Sequence, residues 1–167
     1  MSTGATGVGG APATDGPGAP SVPATPVART EARMEIRGED DIVAARQRAR
    51  DTARRLGFGM VDQSRIATAV SELTRNVVRY ATNGRGEMIL RQVLRQVPGP
   101  AAGGLEIVVS DQGPGIADLE QAMREGYTSG NGLLGVGLPG TKRLMDEMDI
   151  QSTPEQGTAI TIRKWRR

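Results

Sequence analysis

Apolar residues recur at three- and four-residue steps in two stretches of the chain, the spacing of helices with one buried face. The first predicted helix begins at Asp40 or Asp41 and ends at Gly57. The second begins at a cap formed by Asp62 or Ser64. Its apolar stripe consists of Ile66, Ala69, Val70, Leu73, Val77 and Tyr80.

Shorter segments have the β-branched or alternating pattern of strands, separated by turn residues. These are a short piece after Glu35 and residues 87–97, 105–109, 149–152 and 159–165. Two further helices are predicted at residues 116–124 and 136–148. Because two strand pairs are joined by loops too short for a crossover helix, the sheet should be mixed and mostly antiparallel. The pattern predicts an α/β (α+β) fold, a two-layer sandwich with helices on one face of the sheet.

Composition divides the chain into a tail and one domain. Residues 1–30 are almost wholly Ala, Gly, Pro, Ser and Thr, so we expect a disordered tail followed by a folded domain at 31–167. No apolar run could span a bilayer and no secretory signal is present, which predicts a soluble, cytoplasmic protein without a membrane partner. The absence of Cys and His excludes thiolate metal sites, zinc triads and His-based acid/base chemistry.

The second helix carries a carboxylate and an amide four residues apart, Glu72 and Asn76, which therefore share a face. We expect this face to lie roughly opposite the apolar stripe. An amide oxygen can hold a hard cation such as Mg²⁺, while a carboxylate can orient or deprotonate an attacking hydroxyl. The alternative is an ordinary solvated helix face.

Two glycine motifs follow at predicted element boundaries. Asp111 ends a strand and can accept a hydrogen bond from an exocyclic amine, while Gly113 and Gly115 let a flat base approach the backbone. The second motif opens a helix whose N–H groups can face phosphate. It consists of Gly135, Val136, Gly137 and Leu138. Thr158 precedes the last strand, where its hydroxyl could reach the same site. Each motif alone is also typical of a simple turn.

In this order, E-x-x-x-N, D-x-G-x-G, G-x-G-L and G-T resemble the motifs of the GHKL ATPase/kinase superfamily, which has the Bergerat fold. Within it, residues 35–167 are similar to RsbT-type serine/threonine kinases, notably at residues 41–47, 71–76 and 142–147. The related anti-sigma-factor kinases, of the RsbW or SpoIIAB type, typically have His-Ala-Tyr after the asparagine helix. This chain has Arg79-Tyr80-Ala81 there.

The resemblance implies that ATP and Mg²⁺ are the cofactors. It implies that Glu72 is the catalytic base or its orienter, that Asn76 binds Mg²⁺ and that Asp111 recognises adenine. Residues 126–134 would form a lid over ATP. The partners implied are STAS-domain antagonist and scaffold proteins, the latter assembled in a stressosome, and a PP2C-type phosphatase that the released kinase activates. The alternative is an anti-sigma factor that binds a sigma factor and phosphorylates its STAS antagonist.

Three other classes share parts of this pattern. A purely binding module would use ATP to gate a partner without catalysis. A histidine kinase would need a phosphoacceptor His, and a gyrase-type ATPase would need a much longer chain. The basic residues around Trp165 could suggest nucleic acid, but we expect them to protect an edge strand instead, so no nucleic-acid partner is predicted.

Overall fold

The computed structural model describes residues 27–95, 102–124 and 137–167. The strands are β1 (Val27–Ile36), β2 (Gly86–Arg95), β3 (Ala102–Asp111), β4 (Glu147–Thr153) and β5 (Gly157–Trp165). The helices are α1 (Glu39–Arg55), α2 (Met60–Tyr80), α3 (Leu119–Ala122) and α4 (Gly137–Leu144). Among these described helices, none is long and apolar enough to cross a membrane.

The five strands form one sheet in the order β1-β2-β3-β5-β4, and every pairing among the described strands is antiparallel. The prediction of a mostly antiparallel sheet is confirmed. The described strands contain no parallel pair, so this sheet is not mixed. The register places Asp111, the last residue of β3, opposite Thr158 at the start of β5. Residues from two sequence motifs therefore meet at one end of the sheet.

Helices α1 and α2 pack on each other and cover one face of this sheet. The predicted stripe of α2 is buried through Ile66, Val70, Leu73 and Val77, while Tyr80 is exposed. Its residues belong to the same core as Leu90 of β2 and others on the inner face of β3 and β5. This apolar layer fixes α2 over the sheet and so fixes the polar side chains at its margin.

Helix α1 approaches α2 closely because its buried positions are mostly small. Ala45, Ala49 and Ala53 are fully buried. The helix ends at Arg55, two residues before Gly57, which was predicted to stop it. The Gly57 N–H donates to the Arg54 carbonyl, and the Phe58 N–H donates to the Ala53 carbonyl. This pattern satisfies the last carbonyl groups of the helix and turns the chain into α2.

Several predicted boundaries of helices and strands were wrong. Helix α2 begins at Met60 after an extended Gly59. Asp62, predicted as a cap, instead lies inside the first turn and pairs with Arg65. The predicted helix at residues 116–124 contains only the four residues of α3, and the helix at 136–148 ends at Leu144, where β4 soon begins. Glycine-containing residues 102–104, predicted as loop, start β3.

The N-terminal boundary also differs, since residues 27–30, assigned to the tail, belong to β1. Most of the predicted tail, the predicted lid and residues 96–101 lie outside the described residues.

The edge-strand explanation of the C-terminal basic residues was wrong. Strand β5 lies between β3 and β4, so it is not an edge. Arg163 instead pairs with Glu106 and Glu147, and Lys164 is buried against Asp146. These cations balance carboxylates of neighbouring elements.

Candidate active site

A cavity of about 390 Å³ lies between α2, the end of the sheet that contains Asp111 and Thr158, and the start of α4. This volume is within the range of small-ligand sites. Its apolar lining includes Leu73, Val77, Val109, Ile116, Leu138 and Ile160. Its polar lining includes Glu72, Asn76, Arg79, Asp111, Asp118, Gln121 and Thr158. The cavity thus combines an apolar wall with a few side chains that can fix an orientation.

The carboxylate and amide of α2 line this cavity beside Leu73 and Val77, so they lie next to the apolar stripe rather than opposite it. Consecutive helical residues are about 100° apart, which places the pair at the margin of the buried face. Glu72 is only 8% exposed, and Asn76 is half-buried. The solvated-face interpretation is therefore wrong for Glu72.

The two carboxylate oxygens of Glu72 have different surroundings. Oε1 accepts from Nη1 of Arg75 at 2.5 Å, one turn along α2. Oε2 accepts from the backbone N–H of Gly137, the first residue of α4, at 3.4 Å. One oxygen is thus held by an ion pair, and the other faces a long contact on the cavity wall.

Asp111 is oriented by its own turn. Its Oδ1 accepts from the Gly113 N–H at 2.8 Å, which leaves Oδ2 without a hydrogen bond to any described residue. A Cβ on Gly113 would lie 2.8 Å from the Cα of Ala81, so the glycine lets the turn pack on the end of α2. Gly113 shapes the turn without lining the cavity.

Backbone crowding explains two other glycines of the site. Gly115 has φ +78°, and a Cβ there would lie 2.7 Å from the Thr153 carbonyl oxygen. Gly157 has φ +109°, and its Cβ would lie 2.0 Å from the carbonyl oxygen of Asp111. Both positions combine the left-handed backbone region with a close neighbour, so only glycine is accommodated without rearrangement.

Ser152 joins the two motifs and was missed by sequence reasoning. Its hydroxyl accepts from the Ile116 N–H at 2.7 Å and lies 3.0 Å from the Thr158 hydroxyl. It therefore ties the turn after Asp111 to β5. Nothing in its local sequence predicts this, because the contact depends on the pairing of β4 with β5.

The start of α4 supplies Gly137 and Leu138 to the cavity, as the sequence predicted. Gly135 and Val136 lie outside the described residues. Arg79, near the end of α2, lines the cavity and adds a cation to it. Lys142, on the same helix as Gly137, is exposed and does not line the cavity.

The far end of α4 is anchored by a cluster of charges. Buried Lys164 donates from Nζ to the Leu144 carbonyl at 3.1 Å and to Oδ1 of Asp146 at 3.2 Å. Burial alone would raise the pKa of Asp146. Hydrogen bonds from the Trp165 backbone and from Lys164, with the charges of Lys164 and Arg167, lower this pKa below its ordinary value of 3.8.

The polar groups that line the cavity suit a nucleoside triphosphate with a magnesium ion. Asp111 can accept from an amine at one end, and the Gly137 N–H and Arg79 offer positive charge elsewhere in the cavity. The described residues contain no cluster of three or more Asp or Glu side chains that could hold a metal ion. Mg²⁺ commonly takes only one or two protein ligands besides phosphate and water, so the single amide of Asn76 is compatible with it.

Comparison with known proteins gives a consistent assignment. The family model described as a histidine kinase-like ATPase domain matches residues 38–164. Serine/threonine-protein kinase RsbT of Bacillus subtilis (strain 168) is 48% identical over 134 residues, which make up 80% of this chain and 96% of that protein. An anti-sigma F factor of Heyndrickxia coagulans is 34% identical over 101 residues, 58% of this chain and 65% of that protein.

A solved structure shows the same fold. The crystal structure of the RsbU and RsbW domains of a Mycobacterium tuberculosis protein aligns with a TM-score of 0.51 at 20% identity. The alignment covers 81% of this chain and 32% of that one. The likeness to RsbT is higher in identity and covers more of both chains than the likeness to the anti-sigma factor. The chain belongs to the family of histidine kinase-like ATPase domains and, within it, to the RsbT type of serine/threonine kinase.

Proposed function

We propose that this kinase transfers the γ-phosphate of ATP to a serine of a small STAS-domain antagonist protein in a stress-response pathway. The observation that carries the proposal is the buried carboxylate of Glu72, which lines the cavity with Asn76 and the start of α4. A buried carboxylate with one oxygen held by a weak contact is suited to take a proton. Its position supports a catalytic role better than a purely binding one.

In the proposed reaction, Glu72 accepts the proton of the acceptor serine hydroxyl. The serine oxygen forms a bond to the γ-phosphorus, and the bond from that phosphorus to the β–γ bridging oxygen breaks, leaving ADP with the electron pair. The N–H groups at the start of α4 and the guanidinium of Arg79 stabilise negative charge on the phosphates. Asn76 would hold Mg²⁺, which neutralises phosphate charge when bound.

Recognition of the nucleotide base is assigned to the other end of the cavity. Asp111 accepts a hydrogen bond from the exocyclic amine of adenine, and Thr158 lies across the strand pair from it. Leu73, Val109 and Ile160 supply apolar surface for the base. This division places the triphosphate toward Glu72, Asn76 and α4.

The partners proposed are STAS-domain antagonist and scaffold proteins and, for the released kinase, a PP2C-type phosphatase that it activates by binding. The named relatives, a kinase and an anti-sigma factor, support a regulatory role for this chain. Since ATP and such regulators share the cytoplasm, we place the activity there. An anti-sigma role is the second candidate, supported by the 34% identity to the anti-sigma F factor.

The test is transfer of labelled γ-phosphate from Mg·ATP to a panel of STAS-domain proteins, with Glu72→Ala and Asn76→Ala assayed in parallel. We expect transfer to one serine, lost in both variants, with nucleotide binding retained in Glu72→Ala and weakened in Asn76→Ala. Nucleotide binding without transfer to any STAS protein would overturn the kinase proposal. Tight capture of a sigma factor in that case would favour the anti-sigma alternative.

A further inference from the structure

Arg75 follows the proposed catalytic carboxylate by three residues on α2, and its side chain is only partly exposed, at 32%. Its Nη1 lies 2.5 Å from Oε1 of Glu72. Arg75 is not among the residues that line the cavity, whereas Glu72 is. Arg75 therefore contacts Glu72 without itself lining the cavity.

We propose that Arg75 is a positioning residue for phosphoryl transfer, a role that rests on the kinase function proposed above. By holding Oε1, it fixes the rotation of the Glu72 carboxylate and leaves Oε2 directed to the wall formed by Gly137. Proton transfer depends first on this geometry, since a base must lie within hydrogen-bond reach of the hydroxyl it deprotonates. A displacement of about 1 Å can cost a factor of about 100 in rate.

The contact between Arg75 and Glu72 also compensates for the burial of the Glu72 charge. Glu72 is 8% exposed, and a carboxylate removed from water needs a charged or hydrogen-bonded partner. The Gly137 N–H at 3.4 Å is a long contact, so among the described residues Arg75 provides the closer of the two hydrogen bonds to this carboxylate. A direct phosphate contact by Arg75 would require it to leave Glu72.

The chain offers a matched control on the same helix. Arg65 pairs with Asp62 at 3.1 Å with the same three-residue spacing, and neither residue lines the cavity. Arg65→Ala therefore removes a comparable helix pair without touching the proposed base. An effect seen in Arg75→Ala and absent in Arg65→Ala cannot come from the loss of a helical ion pair as such.

The experiment measures kcat and KM for ATP in transfer to the STAS-domain protein that the full-length wild type phosphorylates. We compare Arg75→Ala, Arg75→Lys and Arg65→Ala, with melting temperatures to verify folding. Arg75→Ala should lower kcat by about 10- to 100-fold while KM for ATP changes by less than about threefold. Arg75→Lys should recover part of kcat, because an ammonium can still pair with one oxygen. Arg65→Ala should leave both constants near those of the wild type.

Other outcomes separate the two proposals. If the wild type transfers phosphate and Arg75→Ala does so at the same rate, the positioning role is wrong and the kinase function stands. If KM for ATP rises as much as kcat falls, Arg75 binds nucleotide directly, which also overturns the proposal. If the wild type phosphorylates no STAS protein, the kinase proposal fails first, and the role of Arg75 in transfer fails with it.

Discussion

Two buried carboxylates on opposite faces of the sheet have very different surroundings. On the outer face, Glu106 is 5% exposed, and both of its oxygens are held, by Arg91 at 3.1 Å and by Arg163 at 2.7 Å. At the inner cavity, Glu72 has one oxygen on Arg75 and the other on a long backbone contact. The two carboxylates are thus similarly buried, but close contacts hold both oxygens of Glu106 and only one oxygen of Glu72.

The difference distinguishes a carboxylate with a structural role from the one that we propose to be catalytic. Every strong contact of Glu106 is made within the protein, so its contribution is to join β2, β3 and β5. Partial engagement leaves Glu72 able to form a new hydrogen bond in the cavity. Two less buried carboxylates repeat the contrast, because Asp146 is bound at both oxygens and Asp111 at one. Four substitutions can test whether the number of carboxylate oxygens held by hydrogen bonds, rather than burial, predicts the role of each residue.

Glu72→Gln should produce the largest effect. The amide keeps the shape of the side chain but cannot accept the serine proton, so kcat for transfer should fall by about 10² to 10⁴. Nucleotide affinity, measured by calorimetry, should change by less than about threefold. If a folded Glu72→Gln protein transferred phosphate at the wild-type rate, Glu72 would not be the base, and the functional distinction between Glu72 and Glu106 would fail.

Glu106→Gln should lower stability rather than activity. It leaves Arg91 and Arg163 without their shared carboxylate, and such losses cost about 2 to 3 kcal/mol of unfolding free energy. Urea unfolding monitored by circular dichroism measures this loss. The kcat of the folded variant should match the wild type, and a specific loss of transfer would contradict the structural assignment.

Asp111→Asn should weaken nucleotide binding by about tenfold with little change in melting temperature. The new amide can still accept from Gly113, but it presents N–H groups to the adenine amine, which is itself a donor. Inosine triphosphate has a carbonyl in place of that amine and serves as the control ligand. The preference for ATP over inosine triphosphate should shrink, and an unchanged ratio would refute adenine recognition by Asp111.

Asp146→Asn should have the smallest effect, and one that depends on pH. Because the folded-state pKa lies below 3.8, the carboxylate stabilises the fold at higher pH, and this contribution disappears as the pH falls through the lowered pKa. At pH 7 the variant should be about 1 kcal/mol less stable. Thermal unfolding from pH 7 to pH 3 should show the two proteins converging below about pH 4, whereas a constant difference would exclude a charge effect.

Sequence reasoning located the cavity because its motifs fall at the ends of elements. Asp111 ends β3, Thr158 is the second residue of β5 and Gly137 opens α4, so each motif is also a local boundary signal. Antiparallel pairing then brings the boundaries together. Spacing on α2 likewise placed Glu72 and Asn76 on one side of the helix.

What the sequence could not predict depends on contacts between distant residues. The burial of Glu72 follows from the packing of α4 against α2. Gly137, the first residue of α4, lies sixty-five residues after Glu72 in the sequence. The role of Ser152 follows from strand register. The interior place of β5 depends on strand order, which local pattern does not encode, and this is why its cations were assigned to an edge.

The anchoring of α4 at Lys164 has a mechanical consequence. Helix α4 has eight residues and is therefore about 12 Å long. Lys164 holds its C-terminal end at Leu144, and Gly137 is at the opposite end. A tilt of about 10° would move that end by about 2 Å, given a helix of this length. Such a movement is enough to make or break the contact between Gly137 and Glu72, so a small rotation of α4 about Leu144 would change the hydrogen bonding of Oε2 of Glu72.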